Sequence, residues 1–228
     1  MGKVNLFILF LACLAATAFA QSNTRSFDLK NFDKVSLGSA FKIDLKQSSR
    51  FRVVALGTQR DLDDLEAKVS GGTLSIRYKE DRSRREKMTL EIEMPSLTGL
   101  DLSGASSTVA SGFSGGERLN LDVSGAAKLT LDISVETLLF DLSGASAVTL
   151  TGKASVLKGD LSGASSLKAS GFPVKEAVVD ASGASSAVVN TSAKLIADAS
   201  GASSIRYGGG GTDVRTNTSG GSSIKRLN

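Results

Sequence analysis

The chain has 228 residues, 22% of them charged, a formal net charge of +4, one cysteine, no tryptophan and no histidine. The absence of histidine removes the commonest general base and metal ligand, and a lone cysteine forms no internal disulfide. With two tyrosines and no interleaving of basic and aromatic residues, nothing resembles a nucleic-acid surface.

Residues 1–20 read as a secretory signal. Lys3 supplies the positive start, residues 4–16 are an almost unbroken apolar run, and Ala18-Phe19-Ala20 is a small-x-small cleavage site. The run is too short for a stable membrane span, and no second stretch of spanning length follows. Cys13, after Phe10-Leu11-Ala12, loosely resembles a lipoprotein box, but the apolar run continues past it to Ala20, which favours cleavage after Ala20. Cleavage there leaves 208 of the 228 residues and a net charge of +3, with no cysteine for a disulfide, nucleophile or metal site.

Residues 21–95 form a β-rich segment of their own. Strand-like alternation predicts strands over 34–37, 41–46, 51–56, 73–78 and 88–94. Between them, Leu62, Leu65 and Val69 at helical spacing behind Asp61 predict one short helix over 61–69. Gly71-Gly72 predicts a turn into the next strand. The mixed-sign cluster 79–87 reads as a solvated hairpin tip.

From residue 96 to 228 the chain repeats itself. Seven near-copies of a heptapeptide begin at Asp101, Asp122, Asp141, Asp160, Asp180, Asp198 and Asn217, at intervals of 21, 19, 19, 20, 18 and 19 residues. Counting each repeat from that residue as position 0, position +2 is always Ser and position +3 is always Gly: Gly104, Gly125, Gly144, Gly163, Gly183, Gly201 and Gly220. Positions −3, −1, +1 and +7 are mostly apolar, a period-2 alternation that makes a strand with one buried face on each side of a tight turn. Gly/Ser/Thr/Asn-rich connections absorb the differences in spacing. No interval carries helical periodicity, the leucine-rich signature is missing, and a propeller blade needs about 40 residues. The expected fold is therefore all-β: a parallel β-helix or β-solenoid of about 19-residue coils, with residues 21–95 as its N-terminal cap. Glycine and small residues suit a turn that stacks on its own copies about 4.8 Å away. Inward residues shrink to alanine in the coils at Asp180 and Asp198, which suggests a tapering core.

Catalytic motifs are few. Ser-x-x-Lys occurs at Ser165–Lys168 and Ser222–Lys225 without its usual partner motifs, and no nucleophile elbow or phosphate-binding loop is present. No catalytic, cofactor-binding or metal-binding residue is assigned, and no cofactor is expected. The Asp column is the chemical feature that stands out. Carboxylates about 5 Å apart repel by on the order of 0.8 kcal/mol even in water, so something must compensate. One expectation is an Asx-type turn, each carboxylate accepting from the Ser amide two residues on, which Asn217 could also do. The other is calcium held between coils, although calcium-binding repeats place glycine before the Asp and this chain does not.

The strand residues Phe32-Asp33-Lys34-Val35-Ser36-Leu37, the lead-in Met94-Pro95-Ser96-Leu97 and the Asp-x-Ser-Gly-Ala-Ser coils resemble the bacterial auto-transporter adhesin head (GIN) domain family, over about Phe27 to Arg226. The resemblance implies an extracytoplasmic β-helical domain, in the periplasm, at the outer membrane or secreted. It brings no catalytic residues. An autotransporter head is followed by a membrane barrel, and none is read before Asn228, so self-export is not expected. The leading expectation is a non-enzymatic binding or adhesion module of the cell envelope, meeting a glycan or a protein. The alternatives are a structural or stress-response envelope protein acting through protein contacts, and a glycan-active β-helix enzyme.

Overall fold

A computed structural model describes residues 23–79 and 86–227; the signal segment, Cys13 and most of the 79–87 cluster lie outside that range. Before the repeats come β1 (Asn23–Phe27), β2 (Lys34–Leu37), β3 (Lys42–Gln47), β4 (Arg52–Gly57), α1 (Gln59–Asp63), β5 (Leu65–Ser70), β6 (Thr73–Tyr78) and β7 (Thr89–Met94). The repeats supply β8 (Gly99–Leu102), β9 (Ser107–Val123), β10 (Lys128–Leu142), β11 (Ala147–Leu161), β12 (Ser166–Ala181) and β13 (Ser186–Ala199). The last coil ends with β14 (Ser204–Gly208), β15 (Asp213–Thr218) and β16 (Ser223–Arg226). The chain is a β-solenoid of about seven turns, and its long strands pair in parallel, each coil on the one before.

Each long strand runs from one Ser-Gly turn to the next. The connections expected between strands therefore remain inside the ladder as bends. Differences in coil length appear as register shifts near those bends, for example between Leu131 and Ile133 or between Lys168 and Pro173. The inward columns are as the alternation requires. Leu102, Val123, Leu142, Leu161, Ala181 and Ala199 at position +1 are all buried, as are Thr108, Leu129, Val148, Leu167, Ala187 and Ile205 at position +7. Burying a leucine or valine stabilises by about 1.5–3 kcal/mol, and stacking the coils joins these columns into one continuous core that a single coil could not bury. Gly159 occupies an inward position where the backbone of Phe140 in the coil below comes too close for a side chain. A Cβ on Gly159 would also lie 2.8 Å from Phe140 Cγ.

The turns explain the glycine column. Gly144 sits at φ 68°, and a Cβ there would stand 2.6 Å from the carbonyl oxygen of Gly125. That same oxygen accepts from Ala145 N at 2.7 Å, so a side chain would displace the hydrogen bond joining the two turns. Position +5 is buried inside the corner. Ser165 Oγ donates to Leu142 O at 3.2 Å, and Ser203 Oγ donates to Ala181 O at 3.0 Å.

The order of coils along the axis differs from their order in the chain. β2 and β3 already form a coil: β8 stacks on β2 with Asp101 beside Ser36, and β9 stacks on β3 with Ser107 beside Lys42. β6 and β7 form a further rung on the other side of β2 and β3, in parallel. Only then does the sheet turn antiparallel, with β5 against β6, β4 against β7 and β1 against β4. The start of coil stacking is thus at Lys34 rather than near residue 96, with residues 48–98 returning to build the end.

One expected element is corrected. Residues 61–69 are not a helix. α1 ends at Asp63, with Thr58 as N-cap accepting from Asp61 N at 3.3 Å, and residues 65–70 are strand β5. Leu65 and Val69 fit a helical repeat, but with Ala67 they also fit a period of 2, and antiparallel pairing with β6 across the Gly71-Gly72 turn satisfies every second residue. Tertiary pairing decides between two periods that a nine-residue segment cannot separate.

Leu142 is fully buried. Leu142→Asp places an unpaired charge in the core and should lower stability by several kcal/mol; thermal unfolding of the variant checks this. In the turns, Ser203→Ala should cost about 1 kcal/mol through the lost hydrogen bond. Ser146→Ala should be close to neutral, because Ser146 Oγ has no hydrogen-bond partner and Ala127 fills the same column.

Candidate functional site

The Asp column forms an unbroken ladder. Asp101, Asp122, Asp141, Asp160, Asp180, Asp198 and Asn217 are direct partners on successive strands, and the column extends through Ser36 to Ser75 at the other end. Their side chains alternate with the inward residues and so face outward, at roughly 4.8 Å per rung.

The turn role expected for these carboxylates is not what holds them. The Ser amide at position +2 donates to a carbonyl of the preceding coil instead: Ser124 N to Leu102 O at 2.9 Å, Ser143 N to Val123 O at 3.0 Å and Ser162 N to Leu142 O at 2.8 Å. Ladder bonding between coils takes the donor that an Asx turn would need. Ser36 Oγ donates to Asp101 Oδ2 at 2.9 Å, which compensates the first rung. Further along, Asp180 is stacked between Asp160 and Asp198 on the neighbouring strands. Burial and then the neighbouring carboxylates, Asp160 and Asp198, push the Asp180 carboxyl above its ordinary value. Burial followed by Asp101 and Asp141 does the same to Asp122. Among the described residues, no three His, Cys, Asp or Glu side chains converge as a metal site; the ladder sets its carboxylates one above another.

The ladder lines two depressions. The larger, of about 570 Å³, runs along the early rungs and is bordered by Lys34, Ser36, Ser75, Asn120, Leu139 and the first three aspartates. The smaller, of about 190 Å³, follows Asp160, Asp180, Asp198 and Asn217 beside the Ser column of the turns. The surface is thus a trough whose rim carries repeated carboxylates, hydroxyls and the amides of Asn120 and Asn217, with Lys34 at its start and an apolar floor of Val35, Leu100, Leu121, Leu139 and Phe140 under the early rungs.

Sequence reasoning placed the seven ladder residues and the seven turn glycines, and the structure brings each set into one column. It missed Ser36, Ser75, Lys34 and Asn120. A signal existed for the first: Ser36-Leu37-Gly38-Ser39-Ala40 parallels Asp-Leu-Ser-Gly-Ala with the turn residues exchanged, and Ser39 at φ 80° lies directly beneath Gly104.

The signature described as "Putative auto-transporter adhesin, head GIN domain" matches residues 31–211. No curated protein sequence matches the chain. The fold is similar to a "putative adhesin" from Bacteroides fragilis, with 21% identity and a TM-score of 0.85 over 91% of this chain and 98% of the other. It is also similar to a "putative adhesin" from Parabacteroides merdae, with 17% identity and a TM-score of 0.74 over 92% and 98%. A "putative lipid binding protein" from Parabacteroides distasonis shares 15% identity with a TM-score of 0.65, again over 92% and 98%.

The raised carboxyls fix the sign of a pH effect. A group that binds its proton more tightly in the folded state contributes most in acid, and that contribution is lost as pH rises from the ordinary carboxylate value through the folded one. Asp180→Asn relieves repulsion on an exposed edge, worth about 0.5 kcal/mol, so at pH 7 it should melt about 2 °C above wild type. Its advantage should shrink as pH falls toward the ordinary carboxylate range. Thermal melts of both proteins across that range check it.

Proposed function

The chain belongs to the family described as "Putative auto-transporter adhesin, head GIN domain", and from that premise we propose a non-enzymatic adhesion-type module, working outside the cytoplasm, whose ladder face binds an extended glycan of the cell envelope. The observation that carries this reading is the in-register ladder lying in a trough. A scaffold that repeats at fixed spacing offers the same weak acceptor many times. A polymer lying along the axis would engage several rungs together, and linked weak contacts multiply into useful affinity. Carboxylates, serine hydroxyls and Asn120 are suited to sugar hydroxyls, and the net negative ladder favours neutral or amine-bearing chains over acidic ones. Lys34 at the trough's mouth supplies a donor where the carboxylates give way to serines.

A binding role also fits the chemistry better than turnover does. The trough's carboxylates stack along the axis instead of standing across a cleft from each other, as glycoside hydrolysis by paired carboxylates requires. The adhesin descriptions of the family and of similar solved structures point the same way.

The test is an array of neutral, amine-bearing and acidic polysaccharides. Neutral or amine-bearing chains should be retained, with affinity at least tenfold weaker after Asp122→Ala combined with Asp141→Ala. Val109→Ser, an exposed change away from the trough, should have no effect. Retention of no glycan, or release of reducing ends, would sink the proposal.

A further inference from the structure

The two ends of the solenoid are finished differently. At the N-terminal end, α1 closes the core, and Arg25 Nη1 donates to Leu62 O at 2.6 Å and Leu65 O at 3.1 Å while its guanidinium stacks 4.7 Å from the Phe27 ring. At the other end β15 pairs only with β13 and β16 only with β14, and among the described residues none lies beyond them.

The direction of the free backbone groups follows from the ladder. Residues with outward side chains send their amides back to the preceding coil, as Ser124, Ser143 and Ser219 do, the last to Ala199 O at 2.9 Å. Residues with inward side chains therefore direct N–H and C=O toward the following coil. In the last coil these are Val214, Thr216 and Thr218 on β15 and Ile224 on β16. Their counterparts one coil below, Leu195, Ala197, Ala199 and Ile205, are buried, whereas every residue of β15 is exposed. Among the described residues, two of the three exposed large hydrophobics, Val214 at 36% and Leu227 at 40%, are at this end.

We propose that this end is an interface for a second copy of the chain, the two last coils meeting across a two-fold axis that passes through both sheets. β15 then runs antiparallel to its copy and β16 to its copy. A foreign strand could satisfy one edge; another copy of this end presents both edges at the required separation by construction. The N-terminal end cannot substitute, because α1 and Arg25 fill the mouth of the core. Charge agrees with the two-fold. Asp213 and Arg215 share the outward face of β15, 3.3 Å apart, and an antiparallel copy centred on Val214 sets Asp213 opposite Arg215 of the second copy. Val214 stacks on Val214, extending the inward column. Only two short strands join, and Lys225 meets its own like charge, so the dimer is weak and reversible. The inference is independent of glycan binding.

Sedimentation across a range of protein concentrations, with hydrogen exchange at each, tests it. The dimer fraction should rise with concentration, and the amide of Val214, at the centre of the pairing, should slow in step, while that of Thr218, beyond the copy's strand, should not. Those of Arg215 and Asn217, already bonded to β13, should not change. Val214→Pro removes the free edge N–H at the centre of the pairing, a place where an edge strand tolerates proline. It should weaken dimerisation about tenfold or more without lowering the melting temperature. If it does lower it, Val214→Asp, which puts like charges on the axis, should give the same weakening. A monomer at every concentration, exchange that ignores concentration, or a dimer that these variants leave intact would overturn the proposal.

Discussion

Parallel stacking in register is the constraint on which everything else depends. Each residue lies about 4.8 Å from its own equivalent in the coils above and below, so any choice made at one position is tested against itself. Where self-contact is favourable, as with Leu102, Val123 and Leu142 in the inward column, repetition builds a core. Where a side chain would collide with the neighbouring turn, only glycine survives, and the oxygen of Gly125 under Gly144 shows why. Where like charges stack, as along Asp160, Asp180 and Asp198, burial and the neighbouring carboxylates push the Asp180 carboxyl above its ordinary value. One geometric rule thus produces the stability, the turn composition and the unusual electrostatics of the chain.

The same rule determines how much could be read beforehand. The heptapeptide period, the inward alternation and the glycine column were legible because each is a pattern of self-stacking. The coil made by Lys34 to Gln47 was not, because Ser36 replaces the acid and Gly38-Ser39 inverts the turn. Nor was the insertion of β6 and β7 between the N-terminal edge and β2–β3, since chain order carries no information about axial order once the chain doubles back. The helix over 61–69 failed for a local reason, as Leu65 and Val69 satisfy two periods at once. The Asx turn failed for a non-local one: the Ser amides at position +2 were already committed to the coil below.

The candidate site follows from the repetition of the scaffold. Outward residues of a solenoid need only avoid mutual repulsion, yet this chain keeps an acid at the same outward position through six repeats, and Asn at the seventh. A stability argument alone selects against that choice. Under the glycan-binding role proposed above, the trough along the ladder, with Lys34 and Asn120 beside it, gives that choice a purpose.

The ladder bonds also set a mechanical property. They run along the solenoid axis, and the described chain enters at one end with Asn23 and leaves at the other with Leu227. Tension applied between those two points does not shear all coils together. It loads the outermost rung first and passes to the next only after that rung has peeled away, so resistance to pulling is set by one coil and the work absorbed by the number of coils. A tether built this way yields in small, repeatable steps, and each released coil can restack on the one beneath it.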